Sequence, residues 1–286
     1  MATSPRFLVI DGYGKESRDE LAAGGCSVAG ELYARMVRRH APNAAVDILY
    51  PSDPGAALPK GVGLDEYDGA CWTGCNLTAY DDKDARVRRQ IELAREIFHV
   101  GTPSFGSCWA AQVAVVAAGG IVRASPKGRE MGIARKVRLT PEGRAHPMYV
   151  GKPGVFDAFI SHVDEITHLP PGALALASNG FSAVQAVCVN HGNGTFWAPQ
   201  YHPEYDLHEM ARLTYCRIAK LMQLGFFRTE EQAREHVARL EALHEDPTRF
   251  DLAWSLGIDE DVMNPKLREV EVANWVAHQV MPRLRS

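Results

Sequence analysis

Short apolar runs alternate with longer segments of helical spacing through the first 119 residues. The predicted strands are Phe7–Ile10, Val46–Tyr50, Tyr67–Trp72 and 102–106. The predicted helices are residues 17–40, 82–99 and about 109–119. Strands that alternate with helices of this length indicate βαβ units, so we predict an α/β fold with three layers, in which helices flank a mainly parallel central sheet.

Closely spaced strand-like pieces follow between Gly120 and Tyr201, and turn-forming residues separate them. These pieces are Ile133–Leu139, Val155–Ser161, Leu174–Ser178, Val184–Val189 and Thr195–Tyr201. A helix is predicted over about 206–224, with Gly225 as its C-cap.

The remaining residues have a helical pattern. Thr229 is expected to begin the first helix, Asp246–Pro247 interrupts it, and a last helix covers about 265–280. Trp254 and Trp275 make this segment too apolar for a solvated tail. We therefore predict two parts: residues 1–225 as the catalytic domain, and 226–286 as a helical extension that packs on that domain or on a partner subunit.

Composition narrows the class of protein. The chain has 286 residues, a formal charge of −4 and 46% hydrophobic residues, which excludes disorder and low complexity as descriptions of the whole. The mild negative charge argues against a nucleic-acid surface. No apolar run is long enough for a membrane span, and the N-terminus does not resemble a signal peptide.

The cysteine pattern bears on location and on metal binding. Six scattered cysteines form no CxxC pair, which indicates free thiols in a reducing compartment and argues against a zinc site. We therefore expect a cytoplasmic protein with no metal.

The segment from Thr102 to Gln112 carries the strongest chemical signal. A strand leads into a tight turn with Cys108 at its apex, and a helix starts directly behind it, as in a nucleophile elbow. Gly106 supplies the small residue that the turn needs, and the helix N-terminus favours the thiolate. The N–H of Trp109 is placed to bind an oxyanion. The alternative is a buried structural cysteine.

A base for this nucleophile is found in the segment Gln200–Tyr205. His202 follows a predicted strand, and Glu204, two residues on, is placed to fix the imidazole tautomer as the third member of a triad. A metal set of His202, Glu204 and His208 is the competing interpretation, but no further ligand cluster supports it.

These pieces together resemble the class I, triad-type glutamine amidotransferases, most closely the amidotransferase domain of GMP synthase and its stand-alone relatives. Gly106, Cys108 and Gln112 match the elbow pattern, and His202-Pro203-Glu204 matches the base motif. Ser161-His162-Val163-Asp164, Glu130-Met131-Gly132 and Trp72-Thr73-Gly74 match further segments in order. The resemblance covers about residues 6–224. Ala110 departs from it, since the family has glycine there.

The resemblance implies a flavodoxin-like core, no cofactor, and cleavage of a γ-glutamyl amide through a thioester on Cys108. It implies that Gly74 is an oxyanion donor beside Trp109, although the segment after Trp72 lacks the usual double-glycine–proline loop. The residues that it implies for substrate binding are Gln112, Ser161, His162 and Asp164. A helix-capping role for Gln112 and a structural turn at 161–164 stay open. Trp109, Asn76, Tyr80 and residues 140–154 are expected to set the amine preference.

Three functions fit these motifs. The first is a stand-alone hydrolase of a small γ-glutamyl amine or peptide, and the second is an ammonia-donating glutaminase subunit that docks on a separate synthetase chain. The third is a catalytically silent binding or scaffold protein, against which the intact Cys108, His202 and Glu204 argue. Trp254 and Trp275 favour hydrolysis slightly if they cover the surface that a synthetase would use. They fit a homo-oligomer through the C-terminal helices equally well.

Overall fold

The computed structural model describes residues 4–285 and centres on a nine-stranded sheet. Its strand order is β2-β1-β3-β4-β11-β10-β9-β6-β7. The strands are β1 (Arg6–Ile10), β2 (Ala45–Leu49), β3 (Gly69–Trp72), β4 (Ser104–Gly106), β6 (Glu130–Leu139), β7 (Val155–His162), β9 (Ala173–Ser178), β10 (Ala186–His191) and β11 (Gly194–Pro199). A separate two-stranded sheet pairs β5 (Ile121–Ala124) with β8 (Asp164–His168).

The sheet has a parallel part and an antiparallel part. Strands β2, β1, β3, β4 and β11 run parallel to one another, while β10, β9, β6 and β7 pair antiparallel. Helices connect β1 to β2 and β3 to β4 in the first part, whereas a two-residue turn joins β10 to β11. This division follows the change of pattern near Gly120, and the predicted α/β class is confirmed.

Helices cover both faces of the sheet. They are α1 (Lys15–Ala23), α2 (Ala29–His40), α3 (Ala85–Val100), α4 (Trp109–Ala117), α5 (Pro141–Ala145), α6 (Leu207–Cys216) and α7 (Ile218–Gln223). The C-terminal segment adds α8 (Glu230–Glu245), α9 (Phe250–Leu256), α10 (Glu260–Met263), α11 (Pro265–Arg268) and α12 (Val270–Trp275). Over residues 4–285, no helix has both the length and the apolar character needed to cross a membrane.

The alternation of side chains along β1 shows why the fold has three layers. Phe7 and Val9 belong to a buried cluster on one face of the sheet, and Leu8 and Ile10 belong to a cluster on the other. Successive side chains of a strand point to opposite faces, so a strand buried on both sides must be apolar throughout. The three predicted layers follow from the apolar run Phe7–Ile10, whose side chains are buried on both faces of the sheet.

Three predicted helices are interrupted in the structure. The segment 17–40 contains two helices, because the chain turns at Gly24 and Gly25, the latter with φ of +90°. The segment 206–224 is broken at Arg217, whose backbone is not helical. The segment 265–280 is divided into α11, α12 and a π-helical turn at Val276–Val280. Strands β5 and β8 were not predicted.

The two tryptophans of the C-terminal segment have opposite environments. Trp275 is 0% exposed, and its ring centroid lies 5.8 Å from those of Phe7 and Phe105. It belongs to the core beside the parallel strands, so the expectation that it covers an outer surface is wrong. Trp254 is 89% exposed and packs into no core cluster. The extension therefore contributes to the central core, while its division from the rest at residue 225 stays a prediction.

Candidate active site

Three adjacent parallel strands end at one place. β3 pairs with β4, and β4 pairs with β11, so the chain after each strand emerges at the same edge of the sheet. Gly74 follows β3, Cys108 follows β4 and His202 follows β11. Binding sites of parallel sheets lie at the carboxyl ends of the strands, which explains why residues so distant in sequence meet here.

Cys108 occupies the predicted elbow between β4 and α4. Its φ of 54° lies in the left-handed region, which is uncommon for a residue with a side chain and is typical of strained functional positions. The residue is 5% exposed, and its thiol donates a weak hydrogen bond to the carbonyl oxygen of Ser161 at 3.6 Å. The first turn of α4 begins directly after Cys108.

The turn depends on a glycine at position 106. A Cβ atom there would lie 2.5 Å from the Cβ of Ala110 and 2.5 Å from the carbonyl oxygen of Trp72. Ala110, the departure from the family pattern, is fully buried in this tight space. The elbow therefore accommodates alanine two residues after Cys108 because Gly106 has no side chain.

His202 and Glu204 form a buried pair beside Cys108. The Nδ1 atom of His202 donates to Oε1 of Glu204 at 2.7 Å, and both residues are almost inaccessible to water. Burial lowers the pKa of His202, but the Glu204 carboxylate, its hydrogen bond to the ring and the nearby Cys108 outweigh burial and raise this pKa to about 9. With Nδ1 engaged, Nε2 is the atom left to exchange a proton with the thiol.

Two further contacts fix this pair, and the sequence did not indicate them. The ring of Tyr205 stacks on the imidazole, with centroids 4.1 Å apart and planes within 2°. Ser107 donates a hydrogen bond of 2.8 Å to Oε1 of Glu204 and accepts one of 2.6 Å from the hydroxyl of Tyr33. Ser107 and Tyr33 are fully buried, whereas Tyr205 is half-buried. The signal available in the sequence was a serine directly before the nucleophile.

Both candidate oxyanion donors border the nucleophile. A Cβ at Gly74 would lie 3.0 Å from Cε1 of His202 and 3.8 Å from Cβ of Cys108, which places this backbone against both residues. Trp109 is the first residue of α4, so its N–H has no acceptor within the helix. Their role as oxyanion donors stays a prediction.

A pocket of about 340 Å³ opens over Cys108. Gln112, Ser161, His162 and Asp164 all line it, so the structure brings the four predicted substrate residues together. Gln112 donates to the carbonyl oxygen of Asp164 at 3.3 Å. Burial raises the pKa of Asp164, and the hydroxyl of Tyr80 holds its carboxylate at 3.1 Å.

The predicted amine-side wall is only partly right. Asn76 and Tyr80 line the pocket, whereas Trp109 is buried in one core cluster, and Met148 and Tyr149 from the segment 140–154 lie in another. That segment packs against α12 because its apolar residues complete the core around Trp275. It does not border the pocket.

Both ring nitrogens of His162 are already bonded. Nε2 lies 2.9 Å from Glu130, and Nδ1 lies 2.8 Å from the carbonyl oxygen of Asp164. Glu130 is held in turn by Asn179 and Gln185. This network fixes the turn at 161–164. Glu130 belongs to a segment that matches the family pattern, and its role here is to hold the ring of His162.

Two arginines that the sequence analysis did not select complete the pocket. Arg129 precedes β6, and Arg217 occupies the break between α6 and α7. Both donate to the hydroxyl of Ser161.

The predicted alternative of a metal set fails in the described residues. His208 bonds to Glu241 on α8 at 2.7 Å, away from the His202–Glu204 pair. Across residues 4–285, no three His, Cys, Asp or Glu side chains are arranged to hold a metal ion.

Comparison with known proteins places this geometry in a family. The model of the glutamine amidotransferase class-I family matches residues 78–215, which include Cys108, His202 and Glu204. A γ-glutamyl-L-1-hydroxyisopropylamide hydrolase from a Pseudomonas species is 34% identical over 97% of this chain and 94% of its own. A GMP synthase from Thermosipho africanus is 34% identical, but over 38% of this chain and 20% of its own.

The fold is also found in a solved structure. A crystal structure of a glutamine amidotransferase from Thermotoga maritima superposes with a TM-score of 0.62, covering 89% of this chain and 98% of that one at 19% identity. At that identity the likeness concerns the fold. The family-model match and the match over nearly the full length of the Pseudomonas hydrolase show that this chain belongs to the class-I glutamine amidotransferase family.

Proposed function

We propose that this protein hydrolyses the amide bond of a γ-glutamyl amide, releasing glutamate and ammonia or an amine. The observation that carries the proposal is the arrangement of Cys108, His202 and Glu204 at the floor of a polar pocket. The activity named for the Pseudomonas relative, which matches this chain over almost its whole length, supports the same reaction.

The geometry suits a two-step reaction through a covalent intermediate. The thiolate of Cys108 attacks the side-chain amide carbon, and N–H groups of Trp109 and Gly74 bind the oxyanion. His202 takes the thiol proton and delivers it to the leaving nitrogen, so the C–N bond breaks and a γ-glutamyl thioester remains. A water molecule, deprotonated by His202, then attacks the thioester, releases glutamate and restores the thiol.

Glu204 stabilises the charged imidazole that forms in each step. Its carboxylate keeps Nδ1 protonated and directs Nε2 toward the sulfur. Ser107 and Tyr205 act as positioning residues, because they hold the carboxylate and the ring without contacting the sulfur in any described bond.

The second candidate is an ammonia-donating subunit of a synthetase carried on a separate chain. Similarity to GMP synthase favours this second candidate, since the part of GMP synthase that matches this chain is a fifth of that protein. Coverage favours hydrolysis, because the Pseudomonas hydrolase matches the C-terminal extension as well. We place the activity in the cytoplasm, where the six free cysteines stay reduced.

Purified protein offered glutamine and a panel of γ-glutamyl amines and peptides tests the proposal. We expect turnover of at least one substrate without any partner, a γ-glutamyl adduct on Cys108, and loss of both in Cys108→Ala. Cys188→Ala, on β10 and outside the pocket, is the matched control. Turnover that survives Cys108→Ala contradicts the mechanism, and glutamine cleavage seen only with a synthetase supports the donor subunit instead.

A further inference from the structure

Two arginines share one hydroxyl group at the edge of the candidate active site. Nη1 of Arg217 lies 2.7 Å from Oγ of Ser161, and Nη1 of Arg129 lies 3.2 Å from the same oxygen. Because both bind one atom, two positive charges are held close together. The carbonyl oxygen of this same serine accepts the hydrogen bond from Cys108. The arginine pair is therefore one residue away from the nucleophile.

The pair lacks a counterion. Within residues 4–285, neither guanidinium has a carboxylate at ion-pair distance, although both arginines are half-buried and charges withdrawn from water are usually paired. The Nε atom of Arg129 is hidden from solvent and has no hydrogen-bond partner in the described structure. Burial and the neighbouring charge of Arg217 lower the pKa of Arg129. This arrangement favours an incoming anion.

We infer that Arg129 and Arg217 bind the α-carboxylate of the γ-glutamyl group, an inference that rests on the proposed function. A planar guanidinium matches a carboxylate with two parallel hydrogen bonds, and two of them can hold both carboxylate oxygens. The hydroxyl of Ser161, which now accepts from both arginines, keeps the pair in place.

The dimensions of the substrate fit this placement. Four carbon–carbon bonds of about 1.5 Å separate the α-carboxyl carbon from the amide carbon, a span of roughly 5 Å. Ser161 contacts Cys108 through its carbonyl oxygen and both arginines through its hydroxyl, so a glutamyl chain held at its amide end by Cys108 extends toward the guanidinium groups.

Asp164 supplies the complementary charge. Its carboxylate lines the same pocket as both arginines. Burial raises the pKa of Asp164, and the positive charge of Arg129, which lies beyond ion-pair distance, partly opposes that rise. An α-ammonium group beside Asp164 and an α-carboxylate on the arginines together match an amino acid head group. If the arginines bound a carboxylate on the leaving amine, no negative charge would be needed beside them. Because Asp164 supplies one, we assign the arginines to the glutamyl side of the substrate.

Ligand binding tests this inference without relying on turnover. Titration calorimetry measures the affinity for L-glutamate and for 4-aminobutanoate, which lacks the α-carboxylate. Each ligand is titrated into the Cys108→Ala protein and into Cys108→Ala proteins that also carry Arg129→Gln or Arg217→Gln. We expect each arginine substitution to weaken glutamate roughly 10- to 100-fold, the range for a charged hydrogen bond, and to leave 4-aminobutanoate unchanged. Arg38→Gln, an exposed arginine on α2, should alter neither.

A kinetic arm separates the two carboxylates that a substrate can carry. With Cys108 intact, both arginine variants should raise KM more than they lower kcat for γ-glutamyl amines with and without a carboxylate on the amine. Equal weakening of glutamate and 4-aminobutanoate, or a KM effect confined to γ-glutamyl amino acids, overturns the assignment. Absence of all turnover in the unsubstituted protein contradicts the proposed function alone, because the calorimetric arm still decides the binding site.

Discussion

Replacing Glu204 by glutamine removes one charge from the buried pair and keeps its shape. The carboxylate is the main group that raises the pKa of His202, whereas burial lowers it. An imidazole with a pKa of about 9, compared with its ordinary value of about 6.5, is stabilised in its charged form by about 3 kcal/mol. Glu204→Gln leaves the burial and removes that stabilisation, so the pKa of His202 should fall to 6.5 or below.

The sign of the pH effect follows from linkage. Because the folded-state pKa is raised, the pair stabilises the folded protein fully below about pH 6.5 and loses this contribution as the pH rises through about 9. Glu204→Gln should therefore destabilise the protein most in mildly acidic solution and least in alkaline solution. The imidazolium that forms during turnover loses the same support, which corresponds to about a 100-fold lower kcat.

Two measurements check this prediction. NMR titration of the His202 ring protons in both proteins gives the two pKa values directly, and urea unfolding at several pH values gives the linked stability. Glu241→Gln, which removes the half-buried carboxylate partner of His208, is the matched control and should leave the titration of His202 unchanged. An unaltered titration of His202 in Glu204→Gln would refute the electrostatic account.

Three further substitutions test the surroundings of the triad and the extension. Ser107→Ala removes the hydrogen bond to the carboxylate and should lower kcat about tenfold with little change in KM; a change in KM alone would argue against a positioning role. Gly74→Ala places a Cβ 3.0 Å from the ring of His202 and should reduce kcat at least tenfold by steady-state assay, whereas full activity would remove this backbone from the site. Trp275→Ala should cost about 3–5 kcal/mol in urea unfolding, while the exposed Trp254→Ala should stay within about 0.5 kcal/mol; equal effects would contradict the core assignment of Trp275.

The sequence predicted the parts of the site that depend on local structure. The elbow at Cys108 could be found because a strand, a small residue and a helix adjoin in sequence, and the segment around His202 because it follows a strand. The fold class followed from apolar runs such as Phe7–Ile10, whose side chains had to be buried on both faces of a sheet.

The arginines could not be predicted because their position depends on long-range pairing. Arg129 reaches the pocket because β6 pairs antiparallel with β7, with Glu130 opposite His162. Arg217 reaches it because a helix with continuous amphipathic spacing breaks at that residue. The register between strands that are distant in sequence cannot be predicted from a local pattern. The same is true of a helix break that no glycine or proline marks.

The C-terminal extension affects the candidate active site because it supports α6, the helix that leads to Arg217. Leu240 and Leu243 of α8 pack in one buried cluster with Met210 and Ala211 of α6. Since α6 ends at the residue before Arg217, the position of that guanidinium depends on the packing of α8. Substrate affinity should therefore be sensitive to changes in the extension that never touch the pocket. In this chain the extension is better understood as part of the support for the active site than as an appendage to it.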